Sequence, residues 1–166
     1  VLCGLLNKAG ATRIYLVESF YSTRPAEEIL KRQGWATGRM KSAGDHKVFF
    51  EDTRNRGAFK DYVKLDVPWG GYVYPAYHLN RRYAETDVLL SIAKLKNHAN
   101  AGYTGAVKNL FGIAPTSLYG NDAPNENTTQ NRGANLHNGR KKPPAGVTQE
   151  RYAGWDEVPR VLCSFH

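Results

Sequence analysis

The chain is poor in cysteine, has no long apolar run and goes through two long stretches without an acid. It has two cysteines, Cys3 and Cys163, near opposite ends. That excludes a disulfide scaffold and any zinc or iron–sulfur site built only from this chain's cysteines. No apolar stretch approaches the roughly 20 residues that a membrane-spanning helix requires. Val1-Leu2-Cys3-Gly4-Leu5-Leu6 is apolar but short, and it lacks the basic start of a signal peptide. The serine-hydrolase elbow, the phosphate-loop lysine pattern and the dinucleotide-binding glycine pattern are all missing. His46, His78 and His137 lack metal-ligand spacing, so the sequence offers no metal site. It names no cofactor, compartment or oligomeric state.

The acid-free stretches run from Val88 to Asn121 and from Asn127 to Gln149. They contribute to a net charge of +8. Such a charge favours an anionic partner: a phosphate or carboxylate ligand, a nucleic acid or a membrane surface. The alternative is a solvated basic surface. Arg132, Arg140, Lys141 and Lys142 are the candidates for nucleic-acid contact. They have no interleaved aromatics, so a solvated loop is the stronger reading there.

Along the chain, Leu2, Leu5 and Leu6 fall at helical spacing and Gly10 closes that helix. Thr12 to Glu18 is β-branched and aromatic, and reads as a strand. A helix from Ala26 to Gln33, with Thr23 as cap and Gly34 as stop, is expected next. Trp35 to Ala43 reads as a second helical piece and Lys47 to Glu51 as a short strand. Tyr62 to Val67 and Tyr72 to Tyr77 read as strands of one hairpin around Pro68-Trp69-Gly70-Gly71. Arg81 to Glu85 reads as a turn of helix.

The most informative stretch is 87 to 115. Asp87 opens an apolar run, Val88 to Ala93, that reads as a buried strand ending in Lys94, Lys96, Asn97 and His98. A small-residue turn with Tyr103, Thr104 and Gly105 follows, then a short helix with Lys108 and Asn109. A strand that delivers such residues into a Gly-rich turn before a helix is where an open α/β sheet places its ligand site. Lys94, Lys96 and Lys108 suit a small carboxylate or phosphate as point charges, with Asn97, Thr104, Gly105 and Asn109 as further contacts. His98 is the candidate acid or base, with a structural hydrogen bond as its alternative. Glu18, also at a strand end, is expected to face the same crevice or to be a surface acid.

The fold expectation is α/β: a mainly parallel sheet with helices on both faces, holding Ile14–Val17 and Val88–Ala93 as buried strands of one sheet. The length suits a single domain, 1–166. Within it, 116–156 is expected to form a long polar and basic loop, exposed and irregular between Pro124 and Pro144. The start without Met inside a helical pattern, and the end as another helix begins, suggest a piece of a longer protein truncated at both ends.

Two resemblances add to this reading. The stretch Asp87 to His98, continued by Thr104 to Ile113, resembles the signature of a bacterial and archaeal family catalogued as domain of unknown function 362. That family carries an Asp-led apolar strand, a Lys-x-Lys-x-His strand end and a Lys-Asn-Leu-Phe-Gly helix. Leu6 to Glu18 is similar to its helix–Gly–strand–Glu segment, and Gly139 to Pro144 and Val158-Pro159-Arg160 are similar to later parts. The resemblance implies an α/β fold and no defined chemistry. A second similarity is to the N-terminal domain of nickel-pincer lactate racemases, through His98 and a Lys ten residues later, Lys108. It implies proton transfer at His98. The downstream nickel ligand has no counterpart, so the cofactor is not implied.

Overall fold

The structure is a computed structural model that describes residues 1–20, 22, 24–53, 62–70, 74–98 and 102–120. The chain divides into two compact units, Val1–Thr53 and Arg54–His166. Among the described residues there are three two-stranded sheets, one parallel and two antiparallel. The fold is therefore mixed α/β, and the expected predominance of parallel pairing is not what these strands display.

The first unit runs α1 (Leu2–Lys8), β1 (Ile14–Glu18), α2 (Ala26–Arg32), α3 (Thr37–Ala43) and β2 (Val48–Asp52). Parallel strands need a crossover, and α2 with α3 supplies it. β1 and β2 pair from Ile14 opposite Val48 to Glu18 opposite Asp52. Alternation then puts Ile14, Leu16, Val48 and Phe50 on one face of the ladder. That face is the core: Cys3, Ile14 and Val48 are buried against Leu6, Leu16, Met40 and Phe50. Phe50 also joins a second cluster of Phe20, Ala26, Ile29 and Leu30, which seats α2. On the other face Tyr15 stacks on Phe49 with ring centroids 5.4 Å apart. Phe49 is exposed, so that side of the ladder is open there rather than covered by a helix.

Two polar links hold the helices in place. Lys41 of α3 donates to Glu27 of α2 at 2.7 Å, and Lys47 donates to Asn7 of α1 at 2.8 Å. The Lys41 bond holds the Glu27 carboxyl below its ordinary value, against a smaller opposing effect of burial.

The second unit opens on an antiparallel hairpin, β3 (Tyr62–Asp66) and β4 (Ala76–Asn80), with Tyr62 opposite Asn80 and Asp66 opposite Ala76. The hairpin matches the expectation, although β4 starts later than the sequence suggested. Tyr77 and Leu79 point inward and His78 outward, as strand alternation requires. With Val67 they form a core cluster of this unit, joined by Leu65, Tyr74, Tyr83, Ile113 and Tyr119. The hydroxyl of Tyr119 accepts the backbone N–H of His78 at 2.9 Å and closes the cluster. After β4 come α4 (Arg81–Ala84), β5 (Lys96–His98), β6 (Gly102–Thr104), α5 (Ala106–Asn109), a 3-10 turn (Leu110–Ile113) and α6 (Thr116–Tyr119).

The main correction concerns Val88–Ala93. It is not a strand, and it is not buried. Val88 is 68% exposed, Ile92 67% and the following Leu95 75%. Apolar composition alone does not make a strand; a neighbouring ladder must satisfy its backbone. No described strand pairs with this run. The expected loop at 116–156 opens with α6, and residues 121–156, including Pro124 to Pro144 and the basic residues 140–142, lie outside the described residues, as do Thr23 and the C-terminal resemblance at 158–160. Among the described residues no helix is long and apolar enough to cross a membrane.

Two outcomes test this packing. A Cβ at Gly44 would collide with the side chain of Val48, which is 2% exposed. Gly44→Ala is expected to cost about 1–3 kcal/mol of stability, read as a lower urea midpoint. The second concerns alkaline pH. Burial raises the Tyr119 hydroxyl above its ordinary value of 10.0, partly offset by the bond from His78. The unfolded chain therefore loses this proton first. Stability is complete below the ordinary value and falls as pH rises through the raised one. Wild type should lose stability there, and Tyr119→Phe should lose less, measured by urea unfolding at pH 9 and pH 11.

Candidate functional site

The site is built on a hairpin and the helix that leaves it. β5 and β6 are antiparallel, with Lys96 opposite Thr104, Asn97 opposite Tyr103 and His98 opposite Gly102. Directly opposed residues share a face, and successive ones alternate. Lys96, His98 and Thr104 therefore stand on one face, with Asn97 and Tyr103 on the other. Gly102 has φ of +72°, a left-handed conformation that a side chain would strain. Gly105 is extended, and a Cβ there would come within 3.1 Å of the Tyr103 ring, so the close turn from β6 into α5 favours a residue without one.

The two faces differ in burial. Asn97 and Tyr103 are exposed, while His98 and Thr104 are half-buried. Thr104 Oγ1 is fully buried and has no hydrogen-bond partner among the described residues. A buried hydroxyl without a partner costs about 1–3 kcal/mol. It lies on the face that carries Lys96 and His98.

α5 packs against β6 and carries Lys108 and Asn109. It has four residues. A single turn adds little dipole, so attraction for an anion falls to the side chains. The Lys108 ammonium lies over the ring of Phe111, 4.6 Å from its centroid. Asn109 Nδ2 donates to Ser91 Oγ and to the Ile92 carbonyl, each at 3.4 Å. Ser91 Oγ in turn donates to the Ala106 carbonyl at 2.7 Å. These bonds fasten the exposed run at 91–92 to the helix and so place the approach to Lys94 and Lys96.

The structure thus gathers Lys96, His98 and Thr104 on one hairpin face, with Gly105 leading into the helix of Lys108 and Asn109. Asn97 lies on the opposite face, and Lys94 precedes the strand in exposed chain. Glu18 ends β1 in the other unit, where its Oε1 accepts the Ser19 N–H at 3.0 Å. Ser91 and Phe111 were missed by the sequence reading. Their signals were a lone polar residue inside an apolar run and an aromatic three residues after Lys108. Among the described residues no group of three or more His, Cys, Asp or Glu is placed to hold a metal.

The hairpin and helix lie within the stretch that carries the family signature. A model of the family described as Domain of unknown function (DUF362) matches residues 1–145. The chain belongs to this family. The match includes both units' described elements and ends before the last residues. No curated protein and no solved structure matches the chain. Family membership therefore brings no activity with it, and the comparisons do not support the similarity to lactate racemases.

Ser91→Ala removes the bond to Ala106 and one acceptor for Asn109. It is expected to cost about 0.5–1.5 kcal/mol and to speed tryptic cleavage after Lys94 and Lys96, timed by mass spectrometry of the digest. Unchanged cleavage would mean that α5 does not hold this segment.

Proposed function

We propose that the β5–β6 hairpin and α5 bind a small anionic ligand, a carboxylate or a phosphate. Lys96 and Lys108 supply the charge, Lys94 adds to it from the approach, and the Thr104 hydroxyl supplies a directed hydrogen bond. Gly105 lets the chain pass directly from β6 into α5, and Asn109 sets the helix against the incoming chain. The observation that carries the reading is the buried, unpartnered Thr104 Oγ1 on the face shared by Lys96 and His98. Buried polar groups in folded proteins are nearly always satisfied. A ligand oxygen that displaced the groups covering this hydroxyl would satisfy it and meet the lysine charge together. The charge balance supports the same reading, since the stretch from Val88 to Asn121 carries Lys94, Lys96 and Lys108 and no acid.

His98 extends the reading to chemistry. It is the group on this face that could exchange a proton with a bound acid. Glu18, which ends β1 in the other unit, has no part in this reading. A binding module without turnover is the alternative, and it needs the lysines but not His98.

Isothermal calorimetry with inorganic phosphate and with acetate tests the binding. Lys96→Ala and Lys108→Ala are each expected to weaken binding about tenfold, the value of one charged hydrogen bond. Thr104→Val should weaken it less, and Lys8→Ala, on the other unit, should leave it unchanged. Binding should also weaken as salt rises. Equal affinity in wild type, Lys96→Ala and Lys108→Ala would remove the proposal.

A further inference from the structure

We infer that Phe111 is a positioning residue for Lys108, holding the ammonium where the anion is received; this rests on the anion-binding reading above. A lysine side chain is long, and fixing it costs rotamer freedom. A site that holds the lysine in place beforehand avoids that loss on binding. Lys108 is half-buried on α5, and Phe111 follows in the 3-10 turn, three residues on, where side chains of a helical path meet. The ammonium stands 4.6 Å from the ring centroid, within the range where the electron-rich face attracts a cation.

The ring does not follow the lysine. Phe111 is 5% exposed and sits beside buried Leu110 and Ala114. It is therefore a fixed platform against which the Lys108 ammonium rests. An apolar residue of similar size could fill the same space without attracting the charge. This separates the positioning role from simple core packing.

The test uses the 1–166 chain and inorganic phosphate, by calorimetry, with Phe111→Leu, Phe111→Tyr, Lys108→Ala and the double variant Phe111→Leu/Lys108→Ala. Phe111→Leu is expected to weaken phosphate binding about two- to fivefold, the value of an exposed cation–π contact. Phe111→Tyr should restore it, and the double variant should bind no worse than Lys108→Ala. The side-chain protons of Lys108 should show an upfield ring-current shift in wild type and in Phe111→Tyr. Should Phe111→Leu fail to fold, that shift in wild type still decides, because its absence overturns the inference. Unchanged or tighter binding in Phe111→Leu, beside clear weakening in Lys108→Ala, overturns the role of Phe111 and leaves the anion site standing. No effect of Lys108→Ala overturns both.

Discussion

The register of β5 against β6 is the constraint on which the candidate site depends. Setting Lys96 opposite Thr104 sends Lys96, His98 and Thr104 to one face and Asn97 and Tyr103 to the other. A slip by one residue would exchange the two faces and separate the lysine from the buried hydroxyl. Gly102 and Gly105 protect that register at either end of β6. One accepts a left-handed backbone opposite His98, and the other leaves space beside the Tyr103 ring. The chain then enters α5 directly, so Lys108 follows the hairpin with no intervening loop.

Polar bonds, rather than a ladder, hold the chain that leads to this hairpin. Ser91 and Asn109 fasten the run at 91–92 to α5, while Val88, Ile92 and Leu95 remain exposed. The first unit shows the contrasting case. There the backbone of an apolar strand is satisfied by a parallel neighbour, and Ile14 and Val48 are buried as a result. The two segments have similar composition. Their different fates follow from whether a partner strand is present.

That contrast also explains what the sequence could and could not convey. Helical spacing and glycine stops located α1, α2 and α3, because period and punctuation are local properties. The strands at Ile14 and Val48 were legible from β-branched and aromatic content, and α4 as a turn of helix at Arg81 to Glu85. Val88–Ala93 was misread because pairing is a non-local property that apolar content does not encode. The Gly-rich stretch read as a turn, yet three of its residues form β6, since a short reversal suits an antiparallel partner. Within the site, Lys96, His98 and Thr104 were legible as candidates. Their common face was not, because it follows from a hairpin that the sequence reading did not contain. The contact of Lys108 with Phe111 and the tie from Asn109 to Ser91 depend on side-chain directions that only the fold sets. The family match adds the same elements by likeness, without a chemistry.

The most direct test of the anion site is a nuclear magnetic resonance titration of the isotope-labelled 1–166 chain with inorganic phosphate. Saturable shifts confined to Lys96, His98, Thr104, Gly105 and Lys108, with the β1 and β2 signals unmoved, are the predicted result. No saturable shift at these residues, or equal shifts at lysines throughout the chain, would contradict it.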